Sequence, residues 1–431
     1  MTLSRFKPGD VLIVAILAVL LGWHWSLWPE LASGSSARVL DALGRLAGVL
    51  GLGLMLLAGI GSVRLPGLDR WFGGLPRLWT LHRLMGFGGF ILILLHVWSM
   101  AFSGVAQSLA VALATLFPPI SDWAIWSGWL ALVLTVLFLA PTFQFFGRLH
   151  YQRWKRLHLL SAPALAFALV HTLSLSRWWP LWLVLGLLAF AAIGWRKLLS
   201  PHLGRSDWTV AEVQTLVPGV VELVLDPVDR PLRYEAGQFV YLTPWDERLA
   251  AGCGEEHPYT LSSAPDDPQL RLGIKDLGDA THALQTLTPG SRVQIEGPYG
   301  DFYERHRPGT GQLWLGGGIG ITPFVSGARA LRADGREDIQ LFYLALDSSR
   351  AYYLDELKSH AERCPAFRVE AHYFRQEGPM TLAFLKQHCP DFAQREVYLC
   401  GPPGMVNHLK PLLLSAGVPH SALHSEVFDF L

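Results

Sequence analysis

Four histidines in apolar surroundings carry the most specific chemistry in this sequence. His82 and His96 lie 14 residues apart in one apolar stretch, and His158 and His171 lie 13 apart in another. Ionisable side chains inside a membrane span are costly and usually functional. At 1.5 Å per residue each pair covers about 20 Å along a helix, so one member lies near each leaflet. With both helices running from inside to outside, His82 levels with His158 and His96 with His171. Two facing imidazoles at each of two depths can hold two haem irons, each ligated from both sides. The alternative is four histidines bonding separately to neighbouring carbonyls. Fourteen helical positions return a side chain to within about 40° of its start, whereas thirteen leave it about 140° away. Pro163 stands between His158 and His171, and a kink or local unwinding there would correct the phase. His24 sits at the outer end of the first span and His150 in the basic loop between the fourth and fifth, and both suit interfacial roles. Arg45, the one basic residue well inside a span, suits a haem propionate or else snorkels to the surface.

These residues need a membrane bundle to hold them. The chain has 431 residues, and its zero net charge hides a split. Residues 1–203 hold 15 Lys/Arg against 5 Asp/Glu and 14 of the 17 Trp; residues 204–431 hold 20 against 30. So few charges in the first half point to lipid, and the second half has ordinary soluble composition. A secreted disulfide scaffold, a nucleic-acid binder and a wholly soluble enzyme are thereby excluded. Six stretches reach the length of a span, roughly 10–28, 38–63, 78–102, 123–146, 154–176 and 178–199. The first is read as a retained span, because no small-residue cleavage site follows it. Basic residues gather at Arg5 and Lys7, Arg64 to Arg83, Arg148 to Arg156, and Arg196 with Lys197. The positive-inside rule therefore puts both termini and the soluble half in the cytoplasm. The 38 residues between Arg83 and Asp122 carry no charge, and 105–117 is either a short lid helix or a plain packed loop. Four cysteines, none in a C-x2-C spacing, indicate neither zinc nor an iron–sulfur cluster and suit a reducing compartment.

From Trp208 the pattern changes to short alternating strands at 209–216, 220–226, 237–243, 269–275 and 292–298, which suggests a small antiparallel barrel. After about residue 310, strands alternate with helices, as in a parallel α/β sheet. LGGGIGITPF (315–324) opens that part. It fails the usual G-x-G-x-x-G fingerprint at Ile321, yet Gly316, Gly317, Gly318 and Gly320 let backbone approach a pyrophosphate. Thr322 can cap the following helix and Pro323 suits its first turn. CGPPGM (400–405) closes the last strand at the same carboxyl edge. Upstream, HPYTLSS (257–263) offers Tyr259 to stack a flavin and Thr260 and Ser262 to bond it. Lys275 and Thr281 can hold its pyrophosphate, and Phe428 and Phe430 are aromatic candidates for the flavin face. In ALDSSRAYYLDEL (345–357), Ser348, Ser349 and Arg350 suit a 2′-phosphate, whereas Asp347 would repel it.

The soluble half resembles the ferredoxin–NADP reductase superfamily through HPYTLSS, GPYGDF, GGGIGITPF and CGPPGM in that order. From the second span to the C-terminus the chain resembles the NADPH oxidase and ferric reductase family, through LDRWFGGLPRLWTLHRLMG (68–86) and the two histidine spacings. The resemblance implies a transmembrane di-haem domain (1–203), an FAD-binding β-barrel domain (204–308) and an NAD(P)H-binding α/β domain (309–431). It implies two b-type haems, FAD and a nicotinamide nucleotide. It assigns His257, Pro258, Tyr259, Thr260, Leu261 and Ser262 to FAD, and Gly316 to Pro323 with Cys400, Gly401 and Pro402 to the nucleotide. Phe428 would cover the flavin, and Phe428, Arg45 and Cys400 would line the reaction path. No EF-hand loop or proline-rich tail marks a regulatory subunit.

The expected activity carries electrons from NADPH, or NADH, through FAD and two haems to an acceptor outside. A nearly uncharged outer face favours dioxygen, giving superoxide. A ferric chelate, or a partner protein or quinone, remains an alternative. The absence of an organelle address makes a bacterial inner membrane the simplest home.

Overall fold

The computed structural model describes residues 6–142, 151–303, 309–332 and 337–427. The chain divides into two compact units, Met1–Leu203 and Gly204–Leu431.

The first unit is helical. Helix α1 is Pro8–Trp23, with proline where a helix needs no donor. It ends at His24, and the turns that follow leave at 58° before Pro29. The first apolar stretch is therefore a short helix and a bent continuation, not one straight span. Helix α2 is Ser36–Ile60, α3 is Leu75–Val105, α4 is Leu109–Leu116 and α5 is Trp123–Leu139. Helix α6 is Tyr151–Leu157, α7 is Ser161–Leu175, α8 is Trp179–Gly194 and α9 is Ser200–Leu203. Among the described residues five stretches are long and apolar enough to cross a bilayer: Ser36–Ile60, Leu75–Val105, Trp123–Thr142, Arg153–Leu175 and Trp179–Leu203; the bent first pair would make six.

Small residues bring α2 and α3 together. A Cβ on Gly89 would stand 2.9 Å from the Gly51 carbonyl, so the backbones touch where lipid gives no hydrophobic drive. Between 105 and 117 the chain forms a helix: the Ser108 hydroxyl accepts from Val111 N (3.2 Å) to start α4.

The second unit holds two sheets. Strands β1 (Arg205–Val217), β2 (Val220–Pro227), β3 (Phe239–Pro244), β4 (His257–Thr260), β5 (Leu270–Lys275) and β6 (Arg292–Tyr299) form an antiparallel sheet in the order β4-β3-β6-β1-β2-β5. Among the described residues its end strands are linked by the isolated Leu261–Leu272 bridge, so the small antiparallel barrel that the strand spacing suggests is a half-barrel. Alternate residues fill its interior, among them Trp208, Leu223, Val240, Leu272 and Ile295. Helix α10 is Asp279–Leu284.

The second sheet is wholly parallel, in the order β11-β10-β7-β8-β9. It comprises β7 (Gln312–Gly317), β8 (Ile339–Ala345), β9 (Phe367–Tyr373), β10 (Glu396–Gly401) and β11 (Leu423–Val427). Helices α11 (Thr322–Ala330), α12 (Leu354–Arg363), α13 (Phe374–Glu377), α14 (Leu382–His388) and α15 (Pro403–Ser415) connect the strands. Apolar clusters cover both faces, as a parallel sheet requires.

Candidate functional site

His82 in α3 faces His158 with ring centroids 6.2 Å apart, and His96 faces His171 at 6.3 Å. A metal about 2 Å from a nitrogen of each ring sets the centroids about 6 Å apart. Three of the rings are aimed by backbone carbonyls: Nδ1 of His82 lies 2.9 Å from Ala58 O, Nδ1 of His96 2.8 Å from Gly44 O, and Nδ1 of His171 2.8 Å from Ala124 O. Such bonds fix Nδ1 as donor and leave Nε2 to a ligand. His158 is packed by Phe138 and Trp154 instead. Among the described residues no group of three or more His, Cys, Asp or Glu could hold a metal ion. Iron already carried by a porphyrin needs only two axial ligands.

The chain between His158 and His171 is not evenly wound. His158–Leu160 is a 3-10 turn between α6 and α7. Three residues at about 120° each reduce the misphase from about 140° to about 80°. The tight turn sits just before Pro163, which cannot donate to the Leu159 carbonyl.

Glycines make room for the rings. A Cβ on Gly128 would stand 2.8 Å from Nδ1 of His171, and one on Gly48 would stand 3.0 Å from Nδ1 of His96. Sequence spacing flagged neither glycine. Arg45 is exposed and pairs with Asp41 at 2.7 Å, one helical turn earlier. A propionate would have to compete with that carboxylate. His150 lies outside the described residues.

In the flavin motif, His257, Pro258, Tyr259 and Thr260 form β4, paired to β3 with Val240 opposite Tyr259. The Tyr259 and Thr260 hydroxyls are buried with no hydrogen-bond partner among the described residues. Burying unpaired hydroxyls costs free energy that a polar ligand recovers. His257 Nε2 lies 3.5 Å from Glu255. Leu261 is in the half-barrel core. Ser262 is turned away, its hydroxyl donating to Glu222 Oε1 at 2.6 Å. Lys275 ends β5 opposite Val220. The Thr281 hydroxyl accepts from the backbone N–H groups of Leu277 (2.8 Å) and Gly278 (2.9 Å), shaping the turn before α10. Phe428 and Phe430 lie outside the described residues.

At the nucleotide motif, Gly316 and Gly317 end β7, and Gly318 takes a left-handed φ of 54° in the turn to α11. A Cβ on Gly320 would stand 2.5 Å from Cα of Gly401, so the glycine turn packs directly on the end of β10. Thr322 does not cap α11. It is the first helical residue, and its hydroxyl donates to Ile319 O at 3.0 Å; Pro323 follows at the next position. Pro402 precedes α15. The Cys400 thiol is fully buried, and burial with nearby Glu426 pushes its pKa well up, so it is held as a thiol. Glu426 is the register partner of Cys400, and burial with Asp301 pushes its carboxyl up to about 8. Ser349 donates to Asp347 at 2.6 Å, and Arg350 donates to Pro218 O at 3.2 Å.

A buried ion network joins the two sheets. Glu222 in β2 accepts from Ser262, from Tyr353 (2.9 Å) and from Arg329 in α11 (3.1 Å). Arg329 also grips Glu356 in α12 at 2.6 Å and the Ser262 carbonyl at 3.0 Å. The helix that starts at the nucleotide turn is thus anchored beside the flavin motif.

Comparison with known proteins agrees with this layout. Residues 47–169 match the ferric reductase like transmembrane component, 206–302 an FAD-binding domain, and 314–410 an oxidoreductase NAD-binding domain. The chain is a ferric reductase-like membrane component fused to FAD- and NAD-binding domains. It is 29% identical to the ferredoxin reductase component of 3-ketosteroid-9-alpha-monooxygenase from Mycolicibacterium smegmatis, over 51% of this chain and 63% of that protein. It is 30% identical to the glycine betaine monooxygenase reductase subunit of Chromohalobacter salexigens, over 46% and 58%. The chain thus covers about three-fifths of these relatives' length. A flavohemoglobin from Malassezia yamatoensis matches 92% of the chain and 99% of its own, with TM-score 0.53 and 18% identity, a likeness of fold alone.

Proposed function

We propose that this protein passes electrons from NADPH, across a membrane, to dioxygen and yields superoxide. The observation that carries the reading is the pair of imidazole couples 6.2 and 6.3 Å apart in the same chain as FAD- and NAD-binding domains. When bound, FAD accepts a hydride and haem carries one electron at a time, which is the chemistry these groups supply.

The protein's own residues do the rest. His82 with His158, and His96 with His171, would hold two haems from both sides, with Ala58, Gly44 and Ala124 carbonyls orienting three of the rings. Tyr259 and Thr260 would bond the flavin, with Lys275 and Phe428 serving its pyrophosphate and outer face. Gly316 to Gly320 and Cys400 to Pro402 would seat the nicotinamide nucleotide. If His82 with His158 and His96 with His171 each held a haem, both imidazoles of each couple would be spent on holding it, and the protein would supply one-electron transfer to an acceptor rather than a binding site on the metal. The 38 uncharged residues from 84 to 121 support a small neutral acceptor. Six spans, cytoplasmic termini and dehydrogenase half, and a bacterial inner membrane complete the reading, with domains at 1–203, 204–308 and 309–431. The relatives named above are reductase components of oxygenases, which favours a partner protein as the second reading.

The test uses detergent-purified protein loaded with flavin and haem. NADPH oxidation in air is followed beside dismutase-sensitive cytochrome c reduction, then anaerobically with ferric citrate. Dismutase-sensitive turnover supports the oxidase. Fast ferric reduction without aerobic turnover makes the protein a metalloreductase. Silence in both, with haems that still reduce, points to a partner acceptor.

A further inference from the structure

The nucleotide-binding sheet carries an acidic residue where NADPH would not want one. Asp347 follows β8, the second strand of the α/β fold, at the carboxyl edge where the adenosine ribose of a dinucleotide lies in such sheets. A bare carboxylate there accepts from the ribose 2′-hydroxyl and repels a 2′-phosphate. In this structure it is not bare. Arg375, 28 residues further on, donates through Nη1 to Asp347 Oδ2 at 2.6 Å. The sheet brings the two together: β8 and β9 are parallel neighbours with Ala345 opposite Tyr373, and Arg375 N donates to Leu346 O at 3.0 Å. The other carboxylate oxygen, Oδ1, accepts from Ser349 N (3.1 Å) and Ser349 Oγ (2.6 Å). Both oxygens are engaged, so Asp347 shapes the turn rather than offering itself to a ribose.

Arg350, by contrast, donates to the Pro218 carbonyl at the β1–β2 turn. Arg375 is largely exposed beyond its ion pair, and a guanidinium has five donors, of which the carboxylate uses few. We infer that Arg375 sets the coenzyme preference of this protein, by neutralising Asp347 and offering its remaining donors to the 2′-phosphate of NADPH beside Ser349. The inference rests on the dinucleotide reading of this sheet. It moves the main phosphate contact from Arg350 to a residue that local sequence does not associate with the site.

The test measures binding of adenosine 2′,5′-bisphosphate and of 5′-AMP to the full-length protein in detergent, by calorimetry, which needs no electron acceptor. Arg375→Ala should weaken the bisphosphate about tenfold or more, the scale of a lost charge-assisted hydrogen bond, and change 5′-AMP far less. Asp347→Asn added to Arg375→Ala should recover part of the bisphosphate affinity, since the repulsion goes with the charge. Turnover should follow, with NADPH kcat/KM falling more than that for NADH. Equal losses for both nucleotides, or a larger selective loss in Arg350→Ala than in Arg375→Ala, would overturn the inference and leave the dinucleotide reading standing. Failure of the unaltered protein to bind either nucleotide would overturn both.

Discussion

Gly128 in α5 lies against the imidazole of His171 in α7, so close that a Cβ would stand 2.8 Å from Nδ1. That ring nitrogen also bonds the Ala124 carbonyl, one turn earlier on the same helix. The face of α5 is therefore shaped around one orientation of one ring. Gly128→Val should push His171 off its carbonyl and out of line with His96. The expected result is loss of about half the haem absorbance in the purified protein, with His82 and His158 unaffected. A variant that keeps two haems per chain, by pyridine haemochrome assay, would remove this glycine from the site.

Winding before Pro163 is the second point at which local backbone serves the histidines. The 3-10 turn at His158–Leu160 removes about 60° of misphase between His158 and His171. Pro163→Ala restores a donor to the Leu159 carbonyl and permits a regular α-helix through the segment. His158 would then rotate away from His82. Haem content should drop toward one per chain while helical circular dichroism stays the same or rises. Unchanged haem content would mean that packing by Phe138 and Trp154, rather than the proline, holds the turn.

The flavin motif gives a third expectation. Thr260 buries a hydroxyl without a partner among the described residues, on the strand edge of the half-barrel. If FAD supplies that partner, Thr260→Val should lose a single hydrogen bond worth about 1 kcal/mol, or roughly fivefold in flavin affinity. Ser262→Ala should act otherwise, because its hydroxyl serves Glu222. It should lower thermal stability with little direct effect on flavin affinity. Flavin fluorescence titration and melting curves separate the two; matching effects in both variants would mean that Thr260 does not meet the flavin.

Much of this was legible in the sequence because its signals were local or periodic. Histidine spacing paired His82 with His158 and His96 with His171, which the structure brings face to face, and the glycine run marked the end of β7 in the parallel sheet. What escaped was contact between distant segments. Gly48 and Gly128 matter only because particular rings lie against them, which no spacing announces. Arg375 reaches Asp347 through the pairing of β8 with β9, so its role depends on sheet order. Asp41, four residues before Arg45, was within reach of a helix-pair argument and changes what Arg45 is available to do. Thr322 misled for a different reason: it has the type of a cap residue, but the 3-10 turn at Gly318–Ile321 shifts it inside the helix.

Acid should unlock the reductase half through the network that joins its sheets. Burial acts to raise the carboxyls of Glu222 and Glu356, but Arg329 on both, with Ser262 and Tyr353 on Glu222 and His360 on Glu356, overcomes it. Both pKa values end below the ordinary carboxylate range, that of Glu356 at about 2. A carboxyl with a depressed folded pKa contributes stability that is complete above its unfolded value, about 4.3, and is lost as pH falls toward its folded value. Thermal release of flavin, followed by fluorescence, should therefore shift to lower temperature as pH falls from about 5 toward 3, the upper part of that window. Glu356→Gln should start less stable at neutral pH and show a shallower decline. Glu362→Gln, an exposed change on the same helix, should keep the full slope. If Glu356→Gln retains the slope of the unaltered protein, the acid sensitivity belongs to other carboxylates and the Arg329 network does not govern it.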